Sequence, residues 1–163
     1  AALVYQWTEA IVTTHGLKRE TMCLLLIGHG SRRQRDSSET TETLAATLRR
    51  WWQNSGIAVQ TAYLAQEPMV TSWLSLVAAA KRAILVVPLL MAMGLHGGED
   101  LPPLFGVSAA SLTAIPAIPP AESALIQGRR IWYGYGVGCH SDISAIILDH
   151  VAEGVRTAKG SGF

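Results

Sequence analysis

Three of the five histidines in this chain stand just past predicted β-strands, where an imidazole can do chemistry. Leu24-Leu25-Leu26-Ile27 runs into Gly28-His29-Gly30-Ser31. Ala83 to Pro88 leads, through Leu89 to Gly94, into Leu95-His96-Gly97-Gly98-Glu99-Asp100. Ile131 to Tyr135 leads into Gly138-Cys139-His140. Neutral imidazole is a nitrogen donor suited to divalent metal ions, and histidine titrates close to neutrality. In an open parallel α/β sheet, ligands bind in the crevice outside the carboxyl ends of the strands. Histidines converging on that edge form a candidate site for a divalent metal ion.

The neighbours of each histidine bear on what it can do. Gly28 and Gly30 let the backbone at His29 approach a ligand closely. His96 is flanked by Gly94, Gly97 and Gly98. Each also has a structural reading: His29 as part of a tight β-α turn, His96 as a cap for the helix that Glu99-Asp100 begins. The amide of Gly30, Ser31 and Arg32 are placed to meet an anionic substrate. They open the dense basic run Arg32-Arg33-Gln34-Arg35, which would otherwise be a solvated face. Glu67 suits the first turn of a helix, and its carboxylate could equally serve the same sheet edge as general base or third ligand. His140 fits substrate contact better than ligation. His15 and His150 have no motif around them and are expected at the surface. The Trp51-Trp52 and Met91/Met93 pairs read as core or oligomer contacts.

The elements that must position these residues follow from apolar periodicity. Met22–Ile27 is a continuous apolar run, as in a strand buried on both faces. Residues 36–54 predict a helix with Leu44, Leu48 and Trp51 or Trp52 on one stripe, capped by Ser37 or Ser38 and stopped by Asn54-Ser55-Gly56. Ile57–Leu64 is a second strand. A helix is expected from Glu67-Pro68 to Lys81-Arg82, with Val70, Leu74 and Val77 on one side. Ala83–Pro88 is the third strand. A short helical stretch follows Asp100 and ends near Gly106. Residues 107–127 are proline-rich and carry no assigned element. Ile131–Tyr135 is the fourth strand, and Ser141–Val155 an amphipathic helix with Ile143, Ile147 and Val151. The pattern β-α-β-α-β-α-β-α implies an α/β fold: a single four-stranded parallel sheet, helices on both faces, flavodoxin-like with strand order 2-1-3-4. Residues 1–21 read as an N-terminal extension or linker, 22–158 as the α/β domain and 159–163 as a flexible tail.

Bulk properties narrow the function classes. At 163 residues with 49% hydrophobic and 15% charged residues, the chain can build one well-filled core. A net charge of +1 argues against a dedicated nucleic-acid binder, which needs clustered Lys and Arg. Cys23 and Cys139 form no C-x-x-C pair and no disulfide framework. With no signal-peptide pattern and no apolar run of about 18 residues, a membrane partner is not expected, and the cytoplasm is the expected location.

Four pieces in order carry a family resemblance. They are Leu24-Leu-Leu-Ile-Gly-His29-Gly-Ser-Arg32, Tyr63-Leu-Ala-Gln-Glu67-Pro68, Val86-Val-Pro-Leu-Leu-Met-Ala-Met-Gly-Leu-His96-Gly-Gly-Glu-Asp100-Leu-Pro102, and Val137-Gly-Cys-His140-Ser-Asp-Ile143. Together they resemble the class II tetrapyrrole chelatases, the sirohydrochlorin cobaltochelatase and ferrochelatase group of cobalamin and siroheme biosynthesis. The match runs from about Met22 to Val155. The resemblance implies a chelatase half-unit, one lobe of a two-lobed enzyme. It implies a lyase inserting cobalt, iron or nickel into sirohydrochlorin or a related tetrapyrrole, the divalent metal being substrate, with no organic cofactor. His29 and His96 would bind the incoming metal. Short members act as homodimers, so a homodimer or pairing with an equivalent domain is expected, and the mean hydropathy of +0.26 leaves apolar surface to bury. The chain departs from the family in its basic Arg33-Gln-Arg35, and in Gly97-Gly98 where the family commonly has Val-Arg after this histidine.

Rival chemistries fare worse. A histidine phosphatase needs Arg directly before its His-Gly, and here Ile27-Gly28 precede His29. An esterase reading of His96-Gly97-Gly98 lacks a G-x-S-x-G nucleophile. The alternative from another class is a non-catalytic chelatase-like domain that binds a metal or tetrapyrrole within a larger protein.

Overall fold

A computed structural model of the chain describes residues 1–31, 36–92, 94–108, 122–139 and 141–160. Its centre is β1 (Met22–Gly28), all seven residues of which are buried. The pleat sends Met22, Leu24 and Leu26 to one face and Cys23, Leu25 and Ile27 to the other, and each set joins a separate core cluster. That explains the uninterrupted apolar run. Parallel strands are β2 (Ala58–Tyr63) on one side of β1 and β3 (Ala83–Pro88) on the other. Beyond β3 lie β5 (Arg129–Tyr133), also parallel, and β4 (Glu122–Ile126), antiparallel to β5, giving the order β2-β1-β3-β5-β4.

The expected sheet of four parallel strands is therefore corrected to five, mostly parallel. The added strand falls at the end of the stretch 107–127. It pairs because Gln127 and Gly128 both take positive φ, 49° and 74°, and Ile126 then faces Arg129 across a two-residue loop. Positive φ at both central residues gives the tight hairpin turn that suits the twist of paired strands.

One sheet face is covered by α2 (Asp36–Trp51) and α1 (Ala2–Thr14). Ala45, Leu48 and Trp52 pack there beside Val4, Trp7, Ile11 and Val12, against Leu24, Leu26, Leu85, Val87 and Trp132. The segment read as extension or linker thus holds a helix seated on the sheet. Glu9 of α1 is tied down by both terminal nitrogens of Arg19 and by Trp52 Nε1 at 2.9 Å. The opposite face carries Val70, Trp73, Val77, Leu101 and Phe105. There the expected long helix shrinks to one turn, α3 (Trp73–Leu76). Val77 is extended (φ −94°, ψ 118°) with its side chain on the sheet, so tertiary burial overrides local helix propensity.

The last helix, α5 (Ser141–Gly160), differs most from expectation. Ile147, Leu148, Val151 and Val155 are all exposed rather than packed on the sheet. The sheet face that carries Trp132 of β5 is already filled by α1. Trp7 lies against Gly134 just past β5, and the His15 ring stands 5.2 Å from that of Trp132. Of the expected surface residues, His15 and His150 are exposed. Among the paired aromatics Trp52 is core and Trp51 half-exposed; Met91 is exposed, and Met93 lies outside the described residues. Among the described residues no helix is long and apolar enough to cross a membrane.

Candidate metal-transfer site

Because β1, β2, β3 and β5 are parallel, their carboxyl ends share one edge, and the turns that leave them build the site. At the end of β1 the chain turns through His29 and Gly30, the latter at φ 71°. The prolongation of β2 runs beside this turn: Leu64 N–H and Ala65 N–H both donate to His29 O, at 3.2 and 3.0 Å. Gln66 Oε1 accepts the Ser31 N–H at 2.8 Å. After β3, residues His96 to Asp100 form one wide π-type turn continued by α4 (Leu101–Leu104). Such turns recur at functional sites because they shift side chains out of ordinary helical register.

These turns bring His29 and His96 together. Their ring centroids are 5.5 Å apart at 67°, and both side chains are exposed. Each ring has one nitrogen engaged. His29 Nδ1 lies 2.9 Å from Gly30 O, and His96 Nδ1 lies 2.7 Å from Asp100 Oδ2. A carbonyl oxygen can only accept, and a carboxylate accepts too, so both contacts are satisfied with the proton on Nδ1. Nε2 then carries the free lone pair on both rings. Two adjacent imidazoles with free Nε2 atoms can hold a divalent ion and leave most of its coordination positions open.

Two further features brace the second histidine turn. Tyr133, at the end of β5, donates its hydroxyl to Gly97 O at 3.1 Å, and burial pushes this phenol well above its ordinary range. The loop after β5 also lies flat on the loop after β3. Gly138 N–H donates to Leu90 O at 3.1 Å, and a Cβ on Gly138 would collide with the backbone of Met91. Only glycine fits there.

Other expected site residues fall as follows. Gly30 and Ser31 belong to the His29 turn. Arg32 and His140 lie outside the described residues, as do Arg33 and Arg35. Glu67 lies past β2 on the same edge, where its exposed carboxylate accepts the Met69 N–H at 3.0 Å, two residues along its own turn. The sequence reading overlooked Asp100 as a partner of His96, although His-x-x-x-Asp spacing signals it. It also overlooked Gln66, whose neighbour Glu67 drew attention by its charge, and the Gly134-x-Gly136-x-Gly138 alternation. Cys23 is no candidate ligand: burial pushes its thiol up to about 12, and it lies within β1. Among the described residues, no group of three or more His, Cys, Asp or Glu is placed to hold a metal.

Comparison with known proteins agrees with this architecture. No curated protein matches the chain. Among solved structures, a multi-domain protein of Deinococcus radiodurans is similar, described as structurally similar to chelatases and carrying two additional novel domains. The similarity has 27% identity and a TM-score of 0.58, covering 74% of this chain and 26% of that one. This chain therefore spans about a quarter of that protein's length. The family model of CbiX, the sirohydrochlorin chelatase family, matches residues 23–154. That stretch runs from β1 into α5 and includes both histidine turns, so the chain belongs to the CbiX family.

Proposed function

We propose that this chain is a metal chelatase that inserts cobalt, iron or nickel into sirohydrochlorin or a related tetrapyrrole. The observation that carries the reading is the juxtaposition of His29 and His96 with both Nδ1 atoms engaged and both Nε2 atoms free. In this reading the two Nε2 atoms hold the incoming ion, and the macrocycle docks over the open edge. The ion moves from imidazole to pyrrole nitrogens, and two pyrrole N–H protons must leave. Each Nε2 lone pair released by the ion can take one of them, so the pair exchanges one dipositive ion for two protons and its charge is unchanged. Neutral imidazole suits that exchange near neutrality. Glu67 would serve as an auxiliary base or ligand at the same edge after releasing the Met69 amide. Gly30, Ser31, Arg32 and His140 would meet the peripheral carboxylates of the substrate, with no organic cofactor and no nucleic-acid or membrane partner. Cytoplasmic location goes with this chemistry.

A single half-unit encloses only part of a flat macrocycle, so the chain works as a homodimer or against an equivalent domain. The exposed row Ile147, Leu148, Val151 and Val155 supports that pairing. A second reading rests on the multi-domain neighbour of which this chain spans about a quarter: a chelatase-like domain that binds metal or tetrapyrrole without inserting. Mixing purified protein with Co(II) and sirohydrochlorin and following the absorbance change separates the two. Insertion by the wild type, abolished in His29→Ala and in His96→Ala but kept in His150→Ala, is the expected result. Cobalt binding without any spectral change of the macrocycle would favour the second reading.

A further inference from the structure

We infer that Asp100 is the positioning residue that makes His96 a metal ligand, by holding its proton on Nδ1. The inference rests on the functional reading above and adds to it the origin of the free lone pair. Asp100 Oδ2 lies 2.7 Å from His96 Nδ1, within one turn of backbone that runs from one residue to the other. Both side chains are about half-exposed, at 47% and 50%, and the contact with Asp100 sets which ring nitrogen is protonated. Histidine left to water favours the proton on Nε2, the nitrogen that ligation needs bare. A carboxylate opposite Nδ1 reverses that preference, fixes the ring about its χ2 axis and makes the ring a stronger donor.

The two histidines are thereby unequal. His29 donates to the neutral carbonyl of its own neighbour, Gly30 O, whereas His96 is backed by a full negative charge. His96 is the stronger half of the pair and His29 the weaker. A dipositive ion bound this way has one firm anchor and one nitrogen that releases readily, which suits an ion that must be handed on.

An exposed His-Asp pair at i,i+4 could instead be a surface ion pair with no further role, and such pairs contribute little to stability. Two measurements distinguish the cases without the macrocycle. The first is the ¹⁵N spectrum of the histidine rings in the metal-free protein at mildly alkaline pH. The second is Co(II) affinity from the visible absorbance of the bound ion. We expect the wild-type His96 ring in the Nδ1–H form, shifting toward Nε2–H in Asp100→Ala. Cobalt affinity should fall about 10- to 100-fold in Asp100→Ala, and Asp100→Glu should restore part of it. In a His96→Ala background, Asp100→Ala should change cobalt affinity no further. An unchanged tautomer together with unchanged cobalt affinity in Asp100→Ala would overturn the inference, as would an equal loss in the His96→Ala background. A wild-type chain that binds cobalt through these nitrogens but inserts none refutes the functional reading alone.

Discussion

Replacing Gly30 by alanine should loosen the turn that carries His29, and the cost can be worked from the structure. Gly30 sits at φ 71°, where an L side chain costs about 1–2 kcal/mol. Its Cβ would lie 2.7 Å from Gln66 Cγ and 3.0 Å from Tyr63 Cβ. Relief requires Gln66 to move, and its Oε1 accepts the Ser31 N–H, a bond with a net contribution of about 1 kcal/mol. Crowding against the buried Tyr63 adds about another 1 kcal/mol. Together these give about 3–4 kcal/mol. In a domain of this size each kcal/mol lowers Tm by about 2–4 °C, so circular-dichroism melts should show a drop of roughly 6–16 °C. Gly94→Ala is the control, since Gly94 also has positive φ, 38°, but nothing lies within 4 Å of its Cβ position. It should lose only the backbone part. Gln66→Ala removes the crowded atom, so the double variant should be less destabilised than the sum of the singles by about 0.5 kcal/mol or more. If Gly30→Ala melts with Gly94→Ala, or the double variant is additive, the crowding argument is wrong.

Three other outcomes are expected. Arg19, through its hydrogen bonds, holds the Glu9 carboxyl below its ordinary value of 4.5. A depressed folded-state pKa contributes stability above the unfolded value, lost as pH falls through the folded one. Glu9→Gln should therefore be less stable by about 1–2 kcal/mol at neutral pH, a gap that closes in acid below about pH 4.5; a pH-independent difference in denaturant melts would contradict this. Tyr133→Phe leaves Gly97 O without its donor, and should cost about 1–2 kcal/mol in thermal melts and weaken cobalt binding by loosening the His96 turn. Gly98 has nothing within 4 Å of its Cβ position, so Gly98→Leu should change stability by no more than about 0.5 kcal/mol. If the macrocycle lies over His96, that variant should still slow insertion; insertion at the wild-type rate would place the substrate elsewhere.

Much of this protein was legible before any coordinates. The all-apolar Met22–Ile27 run read as a strand buried on two faces, and Ala83–Pro88 matched its observed bounds, because burial on both faces leaves no room for polar residues. Strand ends in a parallel sheet share one edge, so His29, directly after β1, and His96, in the loop after β3, were expected there from pattern alone. Other features depended on a rare local backbone conformation or on partners distant in sequence. The β4 hairpin turned on Gln127 adopting positive φ, a conformation glutamine rarely announces. The helix expected after Glu67-Pro68 gave way where Val77 gained more from the sheet than from helical backbone. Periodicity showed that α5 has an apolar face, yet could not say that this face stays exposed while α1 packs on the sheet, because amphipathicity specifies a face and not its partner. Sequence likewise supplied two histidines at one edge. Only the tertiary structure set their rings 5.5 Å apart and turned each Nδ1 to an acceptor, since which nitrogen stays free depends on hydrogen bonds that local sequence does not dictate.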